Sequence, residues 1–149
     1  MAVKDFLSRP RELAAELSRL EKRMVEVRAA CTSTTAHWSV TGGGGSHDAR
    51  ERLLTTLVDL GREKAALNER LQTAEQEVDG FLVRLRAQYG LRPYALLRWR
   101  CRLRKTWPQV QQGLEEIYGQ KVSLRSAQNW YAQAVEQAEE LYQKIGPLQ

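Results

Sequence analysis

Six polar side chains near the end of the chain, Ser123, Arg125, Ser126, Gln128, Asn129 and Gln133, carry hydrogen-bonding groups of the kind that read nucleobase edges. In the major groove of a duplex, arginine pairs bidentately with guanine, and Gln or Asn with adenine. Their spacing sets them on one side of a helix capped by Ser123. The opposite side is supplied by Leu124, Ala127, Trp130, Tyr131, Ala134 and Leu141. Acids enter only further along, at Glu136, Glu139 and Glu140. Two plainer alternatives stand beside this reading. Gln128 and Asn129 could be ordinary solvated helix surface, and Arg125 could pair with Glu115 or Glu116.

The second chemical signal is charge. The chain of 149 residues carries 23 basic and 18 acidic side chains, a net +5. Between Gly80 and Leu114 there is no Asp or Glu, while Arg84, Arg86, Arg92, Arg98, Arg100, Arg102, Arg104 and Lys105 contribute +8, which leaves −3 for the rest. A cationic block in a mildly acidic chain suits a polyanion partner. Arg98, Arg102, Lys105 and Lys121 are the candidates for phosphate contacts, which fix orientation without reading sequence. The alternative is a solvated face whose arginines pair with acids of neighbouring helices.

Other chemistries find no support. Two cysteines, Cys31 and Cys101, form no disulfide scaffold and cannot alone hold a structural zinc. Neither His37 nor His47 forms a recognisable catalytic pairing with a nucleophile, and there is no plausible carboxylate pair in a cleft and no metal spacing. An enzyme is disfavoured and no cofactor is implied. The run Gly42-Gly43-Gly44-Gly45 continues as Ser46-His47-Asp48, without the lysine that a phosphate-cradling loop requires, so it reads as a linker. No apolar run is long enough for a membrane span, and Met1-Ala2-Val3-Lys4-Asp5-Phe6 lacks a signal-peptide core. A cytoplasmic protein with no membrane partner is expected.

These side chains need elements to hold them, and the periodicity predicts an all-α chain in two parts. Over residues 1–88, apolar positions step by 4 and 3 through Leu13, Leu17, Leu20, Met24, Val27 and Cys31. They do so again through Leu53, Leu57, Leu60, Lys64, Leu67, Leu71, Ala74, Val78, Phe81 and Leu85. This predicts a coiled-coil-like antiparallel helical hairpin. Ser8 and Pro10 would start its first helix, a flexible glycine-rich loop at 32–47 would close it, and Asp48 with Glu51 would cap the second. Lys64 is either a register-setting polar member or a snorkelling one. So thin a hairpin leaves an apolar edge that invites a homodimer.

Over 89–149, the segment Leu97–Arg104 alternates with the period of a strand, but a lone strand has no partner, and a helix is expected there. That helix leaves Arg100 near the core in need of an acid or a carbonyl, and Arg104 snorkelling. Thr106 caps the next helix and Gly119 stops it. Ser123 then starts the last. Three helices in this order form a helix-turn-helix.

The stretches Leu96-Leu97-Arg98-Trp99-Arg100, Lys105-Thr106-Trp107-Pro108-Gln109-Val110 and Ser123-Leu124-Arg125-Ser126-Ala127-Gln128-Asn129-Trp130 resemble the region 4 helix-turn-helix of bacterial sigma factors. With Lys4-Asp5-Phe6-Leu7 at the start, the whole layout resembles small late transcription regulators of phages that infect gram-positive hosts. Two departures are visible. Pro108 and Gln109 replace acids that usually follow the tryptophan, and the interval from Trp107 to Ser123 is longer than in that pattern. The resemblance implies a sequence-specific regulator in the bacterial cytoplasm, with double-stranded DNA and RNA polymerase as partners. The competing reading is a coiled-coil interaction or assembly protein, for example a phage packaging adaptor, whose helix-turn-helix does not read DNA.

Overall fold

The computed structural model describes residues 3–41 and 44–145, with side chains described over 3–32 and 48–145. Among the described residues the chain is all-α, with five helices and no strand. They are α1 (Val3–Thr41), α2 (Gly44–Tyr89), α3 (Leu91–Leu97), α4 (Trp107–Tyr118) and α5 (Leu124–Ile145). A π-helical turn, Arg98–Arg102, extends α3.

The two long helices exceed their expected limits. α1 begins at Val3 rather than near Ser8, and Pro10 lies inside it. The reason is burial: Val3, Phe6 and Leu7 are almost fully enclosed, and the Val3 N–H donates to Glu139 Oε2 at 2.6 Å. That enclosure outweighs the backbone hydrogen bond lost at the proline. The expected loop at 32–47 is likewise corrected. α1 continues to Thr41 and α2 starts at Gly44, while Gly42 and Gly43 lie outside the described residues. Asp48 therefore sits within α2 and does not cap it. Local side-chain chemistry is compatible with the extension, since Thr32 Oγ1 donates to the Arg28 carbonyl at 3.1 Å inside the helix. α2 passes without interruption through Gly61 and Gly80.

Contacts divide the chain at places other than residue 88. One compact unit joins Met1–Arg11 to Thr73–Gln149, and the other is Glu12–Gln72. The expected boundary between 88 and 89 fails because the apolar stripe of late α2 has no surface of its own to close on. Val78, Phe81, Leu82 and Leu85 are buried in one cluster with Phe6 and Leu7 of α1, Leu96 and Leu97 of α3, Leu114 of α4 and Ala134 and Leu141 of α5. Aromatic edges knit it: Phe6 meets Phe81 at 5.4 Å and Tyr142 at 5.3 Å between ring centroids. In the second unit, Leu20, Met24 and Leu60 form a small buried cluster, with Val27 and Leu67 packed on it. Both apolar stripes read from the sequence face inward, and Lys64 within the second is half-buried.

The period-2 segment has a third solution. Leu103 N–H bonds to the Arg98 carbonyl at 2.9 Å, an i→i−5 bond, so the turn is wider than an α-turn. Trp99, Arg100, Cys101 and Arg102 are consequently all half-buried, with neither the strand's alternation nor a clean apolar arc. The turn ends where Arg104 takes a left-handed conformation at φ 53° and remains exposed.

Candidate nucleic-acid interface

α4 and α5 are set by the signals the sequence carries. Thr106 N–H donates to Gln109 Oε1 at 2.9 Å, one arm of a capping box at the start of α4. Gly119 ends α4 at φ 70°, a conformation that glycine adopts without a Cβ clash. Across the turn, Ser126 N–H donates to Ser123 Oγ at 3.1 Å, which caps α5. The Val122 N–H donates to Glu115 Oε1 at 3.3 Å, and Gln111 Nε2 donates to the Val122 carbonyl at 3.1 Å, so the turn is tied back to α4.

Along α5, Ala127, Ala134, Ala138, Leu141 and Tyr142 are buried, while Arg125, Gln128, Asn129 and Gln133 are exposed. Among the described residues none of these four has a hydrogen bond or an ion pair. The pairing alternative for Arg125 is not realised among the described residues: it forms no ion pair with Glu115 or Glu116, and Glu115 accepts from the Val122 N–H. Ser123 and Ser126 differ from the other four. Their hydroxyls bond each other at 3.0 Å, and Ser126 is half-buried. Their first role is therefore to start the helix.

The cations divide more sharply. Lys121 and Arg98 are exposed and unpartnered among the described residues. Arg102 is corrected as a phosphate ligand. Its Nε lies 2.7 Å from Asp79 Oδ1 and its Nη2 lies 3.0 Å from Glu75 Oε2, so two acids of α2 already hold it. The Asp79 hydrogen bond is the main cause that raises the Arg102 pKa above the ordinary arginine value. Lys105 is half-buried, its ammonium 5.6 Å from the Trp99 ring centre. Arg86 lies over Tyr94 at 5.4 Å and Arg92 over Trp130 at 4.8 Å. Arg100 meets its expected need: Nη1 donates to the Lys105 carbonyl at 2.9 Å, and the guanidinium stacks 4.5 Å over Trp107. These stacks were not legible beforehand. Trp99, Trp107 and Trp130 read only as apolar positions, and nothing in their spacing reveals which cation each faces.

One glycine fixes the π-helical turn. A Cβ on Gly113 of α4 would lie 2.6 Å from Trp99 Cη2, so only glycine lets that ring rest on α4. Trp99 in turn underlies Lys105. No helix among the described residues is long and apolar enough to cross a membrane. Comparison with known protein families, curated proteins and solved structures finds no match to this chain.

Proposed function

We propose that the chain is a sequence-specific DNA-binding regulator of the phage late-transcription kind, in which the first half of α5 enters the major groove. A single observation carries this reading: Arg125, Gln128, Asn129 and Gln133 are exposed and without partners among the described residues, on one side of a capped helix. Exposed and unbonded to the rest of the described chain, these four side chains are available to an external partner, and their donors and acceptors are those that read base edges. Arg98 and Lys121 supply phosphate contacts, and the Lys105 ammonium adds a third through its exposed side. RNA polymerase and a second copy of the chain are the protein partners of this reading.

The test is binding of the full chain to duplexes selected from a random pool. Affinity falls steeply between about 50 and 200 mM salt as bound counterions are released. Arg125→Ala removes about 1–3 kcal/mol of preference for the selected sequence and leaves nonspecific binding in place. If binding neither responds to salt nor changes with Arg125→Ala, the reading fails.

A second reading, a coiled-coil interaction or assembly protein, is favoured by Val25, Leu54 and Val58, which are 61%, 44% and 55% exposed in the Glu12–Gln72 unit. Exposed apolar side chains grouped in a unit with a small core suit a protein partner. Light scattering of the full chain tests its simplest form, in which a second copy covers them.

A further inference from the structure

A cavity of about 190 Å³ opens between the first turns of α1, the π-helical turn and α5. Lys4 and Arg11 of α1, Arg100 of the turn and Tyr131 of α5 line it, with Leu7 and Val135 as apolar wall. Among the described residues no carboxylate lines it. We infer that this cavity is a binding site for a phosphate ester, whose phosphate is held by Lys4, Arg11 and Arg100 and whose organic part rests on Leu7 and Val135.

Three features select that ligand. The first is uncompensated charge. Lys4 and Arg11 are exposed and have neither an ion pair nor a hydrogen bond among the described residues. Arg100 has no carboxylate partner there, and only its Nη1 is bonded. Three cations around one opening, with no acid between them among the described residues, match a dianion better than a monoanion. The second is preorganisation. The Trp107 ring and the Lys105 carbonyl fix the Arg100 guanidinium, so little side-chain freedom is lost when its remaining donors take up an oxyanion. The third is a neutral donor. Tyr131 is held edge-on to Trp107 at 5.6 Å, and burial pushes its hydroxyl up to about 12. It therefore keeps its proton at neutral pH. The neighbouring Cys101 Sγ, 3.9 Å from that hydroxyl, is likewise raised by burial and brings no negative charge.

The site does not depend on α5 reading DNA, and its test is separate. Isothermal titration of the full chain with phenyl phosphate, inorganic phosphate and benzoate is the direct measurement. One equivalent of phenyl phosphate binds, more tightly than inorganic phosphate, and benzoate binds more weakly than either. Lys4→Gln and Arg11→Gln change exposed side chains that carry no structural bond, so these variants fold. Each weakens phenyl phosphate about tenfold, the scale of one lost charge-assisted contact. Absence of binding at millimolar ligand overturns the inference. So does benzoate binding as well as phenyl phosphate, or affinity unchanged in both variants. Competition with a duplex identifies the source of the ester. Displacement of phenyl phosphate by the duplex assigns the site to a backbone phosphate, and simultaneous binding assigns it to a free phosphate ester; either result upholds the site.

Discussion

Arg102 and Arg125 look alike in the sequence, each an arginine on the polar side of a helical segment. Arg102 sits in the acid-free tract, yet it is held at 2.7 Å by Asp79 and at 3.0 Å by Glu75. Arg125 follows two acids in sequence, Glu115 and Glu116, and pairs with neither. The same contrast extends to their surroundings. In the tract, Arg86, Arg100 and Lys105 lie over aromatic rings, whereas along α5 Gln128, Asn129 and Gln133 face outward without partners among the described residues. Charge counted along a chain is therefore not all available to a ligand: Arg102 is taken by acids, while Arg100 and Lys105 are positioned by rings and keep donors free. A run without acids still meets the acids of whatever helix packs beside it.

The strongest way to break this contrast is through the glycine that seats Trp99. Gly113→Ala drives a methyl into the Trp99 ring, and relief requires the π-helical turn to shift. A stability loss of about 1–3 kcal/mol is expected, read by denaturant unfolding. The same variant exposes Lys105 and Arg100 differently, so nonspecific duplex affinity changes with it. An unaltered unfolding midpoint would show that the ring moves aside freely.

A milder comparison separates held from free cations. Arg102→Ala lowers stability by about 0.5–1 kcal/mol, because its acids are partly solvated, and leaves the salt dependence of duplex binding unchanged. Arg98→Ala does the reverse: unfolding is unaffected, and the slope of log affinity against log salt falls by about one. Equal behaviour of the two variants would remove the distinction.

The smallest effect concerns pH. Tyr131 is raised from 10.0 to about 12 in the folded chain, chiefly by burial. Its neutral form is favoured by folding, so its contribution is complete below pH 10 and is lost as pH rises toward about 12. Unfolding curves recorded across that window should decline less steeply in Tyr131→Phe than in the parent chain.

Much of the fold was legible because it depends on neighbours along the chain. The 4-and-3 steps from Leu13 to Cys31 and from Leu53 to Leu85 identify the inward faces of α1 and α2, since helical periodicity is fixed by backbone geometry. Thr106, Gly119 and Ser123 mark the ends of α4 and α5 because capping is satisfied within a turn or two. The exposure of Arg125, Gln128, Asn129 and Gln133 follows from the same periodicity. The division at residue 88 was misread, because periodicity identifies an apolar face and is silent about what covers it.

The amino-acid order by itself determined the helical class, the inward faces of α1 and α2, the ends of α4 and α5 and the polar set on α5, all consequences of interactions a few residues long. The start of α1 at Val3 came instead from burial of Val3, Phe6 and Leu7. Tertiary structure alone decided that Phe6 and Phe81 belong to one core, that Arg102 is taken by Asp79 and Glu75, and that Lys4, Arg11 and Arg100 surround one cavity. Phe6 and Phe81 are 75 positions apart, Asp79 and Arg102 are 23, and Lys4 and Arg100 are 96. The physical reason is that burial and Coulomb attraction act through space, so their partners are chosen only when helices pack.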